Sequence, residues 1–423
     1  MASFHFVCSE CGARYLEREV ELVCPQCAPR QVAGGSIRGV LEVRIDPLPQ
    51  SWPANSFGSL EDLIAFLPVP SVSSLVRLGV GATPLLPVNR LRRTLGMPRL
   101  WLKDDTRNPS GSTKDRASLL VVAKAIEYGH DTVAAASTGN AATALAAVAA
   151  AAGIRAVLFV PADAPEAKLV QMLSYGAEVL SIAGSYDEAF ELCLQACERF
   201  GWYNRNTALN PFTIEGKKTA ALEIAATLAP DAPDVVVVPV GDGVILAGLA
   251  KGFADLREGG LIRHLPRLIA VQPEGSAAIV KALRADRDDI EPIPGAASVA
   301  DSLVVQAPRN ARLCLSRIRE SNGAGVMVSD EAILAAMAEL AAYTGVFAEP
   351  AAASALAGLR EAVRCDLVDR EERVVILITG TGLKDIRAAS RRVSHPEPID
   401  PELEAVARTI AHRSPDRGPE RSG

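Results

Sequence analysis

The chain has 423 residues, a formal net charge of −6, 49% apolar residues and only 4% aromatics. That length exceeds one ordinary core and predicts two domains with a cleft between them. The charge balance, with no block of consecutive lysines or arginines, excludes the footprint of a nucleic-acid binder, and the most apolar stretch, 141–154, is too short to span a membrane.

The N-terminus lacks the basic start and apolar run of a signal peptide, which predicts a cytoplasmic chain. In that reducing compartment the eight cysteines are not a disulfide framework. Cys8-x2-Cys11 and Cys24-x2-Cys27, separated by twelve residues, form two knuckles that predict one structural zinc. A ribbon folded without metal and a redox pair are the alternatives. Cys193, Cys197, Cys314 and Cys365 lack such pairing and read as buried structural thiols.

From residue 99 onward, β-rich runs at 99–103, 132–136, 155–161, 178–182, 235–240, 268–272 and 374–379 alternate with long alanine-rich helical patterns. Such alternation predicts an α/β fold of βαβ units with mostly parallel sheets, in which ligands sit beyond the carboxyl ends of the strands. Residues 286–294 read as a charged surface loop. Residues 396–401 separate the body from a last helix at 402–412, and 414–423 read as a tail without fixed structure.

The segment Asn108-Pro109-Ser110-Gly111-Ser112-Thr113-Lys114-Asp115-Arg116 is a turn ending at a lysine that opens an apolar helix. A cation in the first turn opposes the helix dipole unless its amine has work to do. Burial and the positive helix end both lower its pKa, which suits an amine nucleophile and base. Alone, a turn plus a lysine is more often exposed structure. Ser137-Thr138-Gly139-Asn140 follows a strand and opens a helix, as a carboxylate site or a plain N-cap would. Gly241-Asp242-Gly243 can close backbone N–H groups on a phosphate at the next helix, but it lacks the Gly-x-Gly-x-x-Gly dinucleotide pattern. Thr379-Gly380-Thr381-Gly382-Leu383-Lys384-Asp385 again ends a buried strand with a hydroxyl and glycines, where a plain strand-to-loop turn is the simpler reading. The four segments together argue for a ligand site.

As a set, and in this order along the chain, they resemble the threonine synthase family of fold type II pyridoxal-phosphate enzymes. The resemblance runs from the cysteines to Asp385 and includes Leu41-Glu42-Val43-Arg44, Gly81-Ala82-Thr83-Pro84-Leu85, Trp101-Leu102-Lys103-Asp104 and Glu349-Pro350-Ala351. It implies two open, mostly parallel sheet domains with pyridoxal phosphate in the cleft. Residues 1–45 are then the cysteine segment, 46–130 and 205–395 the large domain, 131–204 the small one, and 396–423 the C-terminal helix and tail. By the same resemblance Lys114 carries the cofactor covalently and Asn140 bonds its 3-hydroxyl. Gly241, Asp242, Gly243, Val244 and Ile245 cradle its phosphate, and Thr379 faces its pyridine nitrogen. Ser137, Thr138 and Gly139 hold the substrate carboxylate. A hydroxyl at the pyridine nitrogen makes the ring a weaker electron sink than an aspartate does, which favours elimination or replacement over transamination. None of the five histidines lies in these motifs, which leaves Lys114 as the general base. The implied partner is a small amino-acid substrate, and the implied assembly a homodimer.

The pattern departs from the family in three places. The family reads a substrate phosphate through an arginine in Asn-Pro-x-Arg-x-Glu-Gly, and here the segment is Asn210-Pro211-Phe212-Thr213-Ile214-Glu215-Gly216. Thr213 cannot supply a charged bidentate fork. Arg205 or Lys217 are candidate replacements, and lone basic residues are more often solvated surface charges. Thr113 stands where phenylalanine is common, and Val244-Ile245 where glycine and asparagine are common. The expected activity is a threonine-synthase-like lyase acting on an amino acid such as O-phosphohomoserine. A serine/threonine dehydratase or β-replacement enzyme is the rival, and a non-catalytic protein whose ribbon contacts a partner is the reading from another class.

Overall fold

The computed structural model describes residues 3–412 except 33, 53–59, 138, 163, 392 and 394–395. The expected tail at 414–423 lies outside the described residues. Runs such as Val235–Pro239 and Val374–Ile378, apolar at every position, need cover on both faces, and both strands are buried throughout. Helices on each side of parallel sheets provide that cover.

In chain order the strands are β1 (Ser3–Cys8), β2 (Arg14–Leu16), β3 (Leu41–Asp46), β4 (Leu85–Pro87), β5 (Leu100–Asp104), β6 (Thr132–Ala136), β7 (Arg155–Pro161), β8 (Glu178–Ile182), β9 (Tyr203–Asn204), β10 (Val235–Pro239), β11 (Arg267–Pro273), β12 (Ala324–Val328) and β13 (Val374–Ile378). They form three sheets, ordered β2-β1-β3, β12-β11-β10-β13-β5-β4 and β8-β7-β6-β9. The first is antiparallel and carries the cysteines. The six-stranded sheet is parallel except for β4, and the four-stranded sheet is parallel throughout.

Each large sheet reverses its direction of growth once. From β10 the chain builds outward through β11 and β12, then returns as β13 on the other side of β10. From β6 it builds through β7 and β8, then returns as β9 beside β6. Connections leaving two neighbouring strands in opposite directions open a crevice beyond their carboxyl ends, where ligands bind in such folds.

Among the described residues no helix is long and apolar enough to cross a membrane. The last helix, Leu403–His412, falls where expected. Strands β1 to β4, β9 and β12 were absent from the sequence reading, and β2, β4 and β9 are only two or three residues long. One thiol expectation is corrected: Cys193, Cys197 and Cys314 are buried, but Cys365 is exposed. It caps the C-terminus of helix Pro350–Arg364, whose last turn faces solvent.

A buried ion cluster ties the elements together. The guanidinium of Arg116 donates to Asp105 (2.7 and 2.8 Å), Glu223 (2.6 and 2.8 Å), Thr219 Oγ1 (2.9 Å) and Thr83 Oγ1 (3.0 Å). Lys103 Nζ donates to Glu223 (2.6 Å) and to the Thr83 carbonyl (2.6 Å). Glu223 also accepts the N–H of Ala82 at 2.9 Å. Two cations thus face two carboxylates, with the donors of the arginine matched. The helix Phe212–Lys217 packs so closely on this arginine's helix that a Cβ at Gly216 would stand 2.3 Å from the Arg116 carbonyl.

Burial works to raise the Asp105 carboxyl, but the Arg116 charge and hydrogen bonds prevail and hold it at about 2. A carboxyl lowered on folding contributes stability that is complete above its unfolded value and is lost as pH falls toward the folded one. The contribution of Asp105 should therefore disappear between pH 3.8 and about 2. Arg116→Ala leaves Lys103 alone to face two buried carboxylates, with Asp105 losing its ion-pair partner, and should cost about 3–5 kcal/mol in denaturant unfolding. A loss below about 1 kcal/mol, the range of exposed pairs, would show that the cluster is not structural.

Candidate active site

The two crevices face each other across a cavity of about 410 Å³, lined among others by Lys114, Ser137, Asn140, Arg205, Lys217 and Asp242. Ser137 and Asn140 follow β6 and Arg205 follows β9, so they flank one reversal point. The loop 241–245 follows β10 at the other. Segments 184–187 and 301–307 complete the wall.

Lys114 opens the helix Lys114–Glu127. Its turn is fixed from both ends. Asp115 accepts the Ser110 N–H at 2.7 Å, together with the Ser110 hydroxyl. The Thr113 N–H donates to the Thr379 carbonyl (2.8 Å), and the Thr381 N–H to the Gly111 carbonyl (3.0 Å). The segment ending in lysine is thus sewn by main-chain bonds to the turn after β13. Burial pushes the Lys114 amine down to about 8; the neighbouring Glu349 carboxylate pulls the other way. The same cause holds Lys384 at about 8, but that amine is engaged by Thr143 (2.9 Å) and Gln171 (2.7 Å) and does not line the cavity.

Ser137, Gly139 and Asn140 all line the cavity; Thr138 lies outside the described residues. The Gly139 N–H donates to the Ser137 hydroxyl at 3.1 Å. Asn140 Nδ2 donates to Glu349 Oε1 at 2.8 Å, while its Oδ1 is buried without a partner. Asn140 lines the cavity, and its unsatisfied amide oxygen is an acceptor that a ligand hydroxyl would satisfy. Gly241, Asp242, Gly243, Val244 and Ile245 line the opposite wall at the start of helix Val244–Glu258. Gly243 has φ +92°, and a Cβ there would meet Cys314 Cβ at 2.7 Å. Only glycine allows this turn, which presents the unsatisfied first-turn N–H groups of the helix to an anion. Asp242 is turned away from that role, its carboxylate accepting the Arg309 N–H at 2.9 Å. A buried low-pKa amine, an orphaned amide oxygen and an N–H cradle fit pyridoxal phosphate.

Thr379 is buried but does not line the cavity; its carbonyl holds Thr113, and the following Gly380 abuts Glu349. Thr213 is fully buried, its hydroxyl donating to the Asn210 carbonyl at 2.7 Å, and it too is absent from the wall. The surface-charge reading of Arg205 and Lys217 is overturned, since they are 1% and 2% exposed and both line the cavity. Sequence reasoning gave no role to Glu349, whose charge acts on Lys114, or to Lys168, which reaches from helix Glu166–Ser174 to Asp301 at 2.9 Å across the cleft. Glu349 stood within a quoted motif, but Lys168 carried no local signal.

In the cysteine segment, the sulfurs of Cys8, Cys11, Cys24 and Cys27 all lie within 4.8 Å of one another. Cys8–Cys27 and Cys11–Cys24 are each 3.7 Å apart. That is near the ~3.8 Å edge of a tetrahedron with zinc–sulfur bonds of about 2.3 Å. The donor set therefore fits zinc. Phe4 and Phe6 of β1 pack edge-on against Phe212, at 6.0 and 5.7 Å between centroids, docking the segment on the helix that ends at Lys217.

Residues 76–380 match the family described as pyridoxal-phosphate dependent enzymes. The threonine synthase of Methanosarcina acetivorans is 37% identical over 412 residues, 96% of this chain and 98% of the relative. That of Methanocaldococcus jannaschii is 37% identical over 348 residues, 82% and 86% of the two chains. Among solved structures, a threonine deaminase from T.th. superposes with a TM-score of 0.64 at 27% identity, covering 80% of this chain and all of that one. With a family match over most of the chain and relatives aligned nearly end to end, the chain belongs to the pyridoxal-phosphate-dependent enzymes, as a threonine-synthase-like lyase of amino-acid metabolism.

Proposed function

We propose that the cavity converts O-phosphohomoserine to threonine. The observation that carries this reading is the buried Lys114 amine, held at about 8 where the two reversal points meet. Pyridoxal phosphate, when bound, supplies an electron sink for negative charge developing on the substrate carbons. Lys114 would hold it, and its Nζ would hold and move protons. Asn140 would orient the cofactor through its Oδ1 and the N–H groups of 241–245 would take its phosphate, whereas Thr379, behind the wall, supports the site through its carbonyl bond to Thr113. Ser137, Thr138 and Gly139 take the substrate carboxylate. In this reading 131–204 is the small domain, 46–130 with 205–395 the large one, 1–45 the cysteine segment, and 396–423 the C-terminal helix and tail.

Thr213 favours a second reading, a dehydratase or β-replacement enzyme acting on an unphosphorylated or O-activated amino acid. A substrate panel scored for phosphate, ammonia and keto-acid release separates the two. Phosphate release with threonine formation supports the first, and ammonia and keto acid from serine or threonine support the second.

One structural zinc on Cys8, Cys11, Cys24 and Cys27, a cytoplasmic setting and a homodimer, which light scattering checks, complete the proposal. Purified protein should carry about one zinc per chain and lose it in Cys24→Ser. Because the segment rests on Phe212, loss should show first as lower thermal stability and not as an altered cofactor spectrum. Zinc-free protein of undiminished stability would leave a vestigial ribbon.

The protein should show the visible band of bound cofactor, and Lys114→Ala should abolish it. Since the neutral amine is the attacking form, cofactor uptake by stripped protein should accelerate as pH rises through about 8 and level off above. An inflection near the ordinary 10.5 would contradict the burial argument.

A further inference from the structure

Glu349 is a buried carboxylate that borders the cavity without lining it; its residue is 2% exposed. It stands just before the helix Pro350–Arg364 on extended backbone, with φ −68° and ψ 160°. Its N–H donates to the Gly380 carbonyl at 3.0 Å, and the preceding Ala348 bridges to Thr381. The residue is thereby pinned to the turn after β13. Its carboxylate lies so close to that turn that a Cβ at Gly380 would stand 2.5 Å from Oε1. From this position Oε1 accepts the Asn140 Nδ2 at 2.8 Å.

That bond decides which end of the amide is left over. An asparagine side chain can present either its oxygen or its nitrogen, but a charged carboxylate only accepts, so the Asn140 atom against Oε1 has to be the nitrogen. Asn140 opens the helix Asn140–Ala152 and lines the cavity, and with its nitrogen engaged its Oδ1 is buried without a partner. A buried acceptor in want of a donor selects a ligand group that carries a hydrogen. The charge of Glu349 is also felt more widely. Burial acts to lower the amines of Lys114, Lys168 and Lys384, and in each the Glu349 charge is the strongest influence in the opposite direction.

We propose that Glu349 is a positioning residue of the cofactor site, which turns the Asn140 amide so that the cofactor's 3-hydroxyl meets an acceptor and binds as a hydrogen-bond donor. The proposal rests on the reading of this cavity as the cofactor site. Glu349 acts from behind the wall, through Asn140.

The test compares the affinities of stripped wild type, Glu349→Gln, Asn140→Ala and the double variant for pyridoxal 5′-phosphate and for its 3-deoxy analogue. Wild type should prefer the hydroxylated compound by roughly three- to tenfold, the worth of one hydrogen bond. Asn140→Ala should abolish that preference. Glu349→Gln, whose amide donates as well as accepts, should lower it about twofold or more, and the double variant should match Asn140→Ala. Glu349→Gln should also move the pH midpoint of cofactor uptake below about 8, because the charge opposing burial at Lys114 is gone while Arg205, Asp242 and Lys168 remain. Gly380→Ala reaches the same contact from the other side: it crowds the carboxylate off Asn140 but keeps its charge, so the preference should fall with the midpoint still near 8. It carries the test if Glu349→Gln does not fold. A preference unchanged in both single variants at Glu349 and Gly380, effects that add in the double variant, or a midpoint unmoved in Glu349→Gln, which would mean an uncharged carboxyl, would each overturn the assignment while the cofactor reading stands. A wild type that takes up neither compound would overturn both.

Discussion

The Arg116 guanidinium is the point on which the rest of the molecule converges. It sits two residues beyond Lys114 and is fully buried, so its charge must be answered from inside the protein. Asp105 answers it from the turn after β5 and Glu223 from the helix Thr219–Leu228. Glu223 in turn gathers Lys103 and the turn at Ala82. Motifs scattered over more than a hundred residues of sequence are therefore one electrostatic object. The beginning of the lysine helix is fixed relative to the six-stranded sheet before any ligand arrives.

That fixation matters because the site is assembled from two sheets. One reversal point delivers an N–H cradle and the other an amide and hydroxyls, but neither contains an amine. Lys114 is brought to the cavity by its turn, which is stitched through Thr113 and Gly111 to Thr379 and Thr381 beyond β13. The wall brings Lys114, Arg205 and Lys217 together, and burial first, then the charges of neighbouring cations, depress both lysine amines.

Much of this was legible from residues alone. The runs at 132–136, 155–161, 178–182 and 235–240 gave the strands nearly to the residue, because short segments rich in valine and other β-formers alternate with long alanine-rich helical patterns. Turn motifs at strand ends marked the site, since such folds bind ligands there. What was not legible depends on partners distant in sequence. Lys217 and Arg205 look like surface charges in a linear reading, and only packing buries them. Lys168 meets Asp301 across the cleft with no spacing to announce it. Thr379 lies behind the wall, and its backbone contact with Thr113 was invisible to a reading based on its hydroxyl. Cys193, Cys197 and Cys314 lie on the buried faces of helices, whereas Cys365 lies just past a helix C-terminus.

The central claim is that one particular amine among several buried lysines receives the cofactor. Lys384 is lowered as far as Lys114, and Lys217 is lowered too, so basicity alone does not select among them. Position does: Lys114 opens onto the cavity between the N–H cradle and Asn140, whereas Lys384 is held by Thr143 and Gln171. Borohydride reduction of the cofactor-loaded protein followed by peptide mapping decides the matter. The account predicts the cofactor adduct on Lys114 alone; an adduct on Lys217 or Lys384, or none, would contradict it.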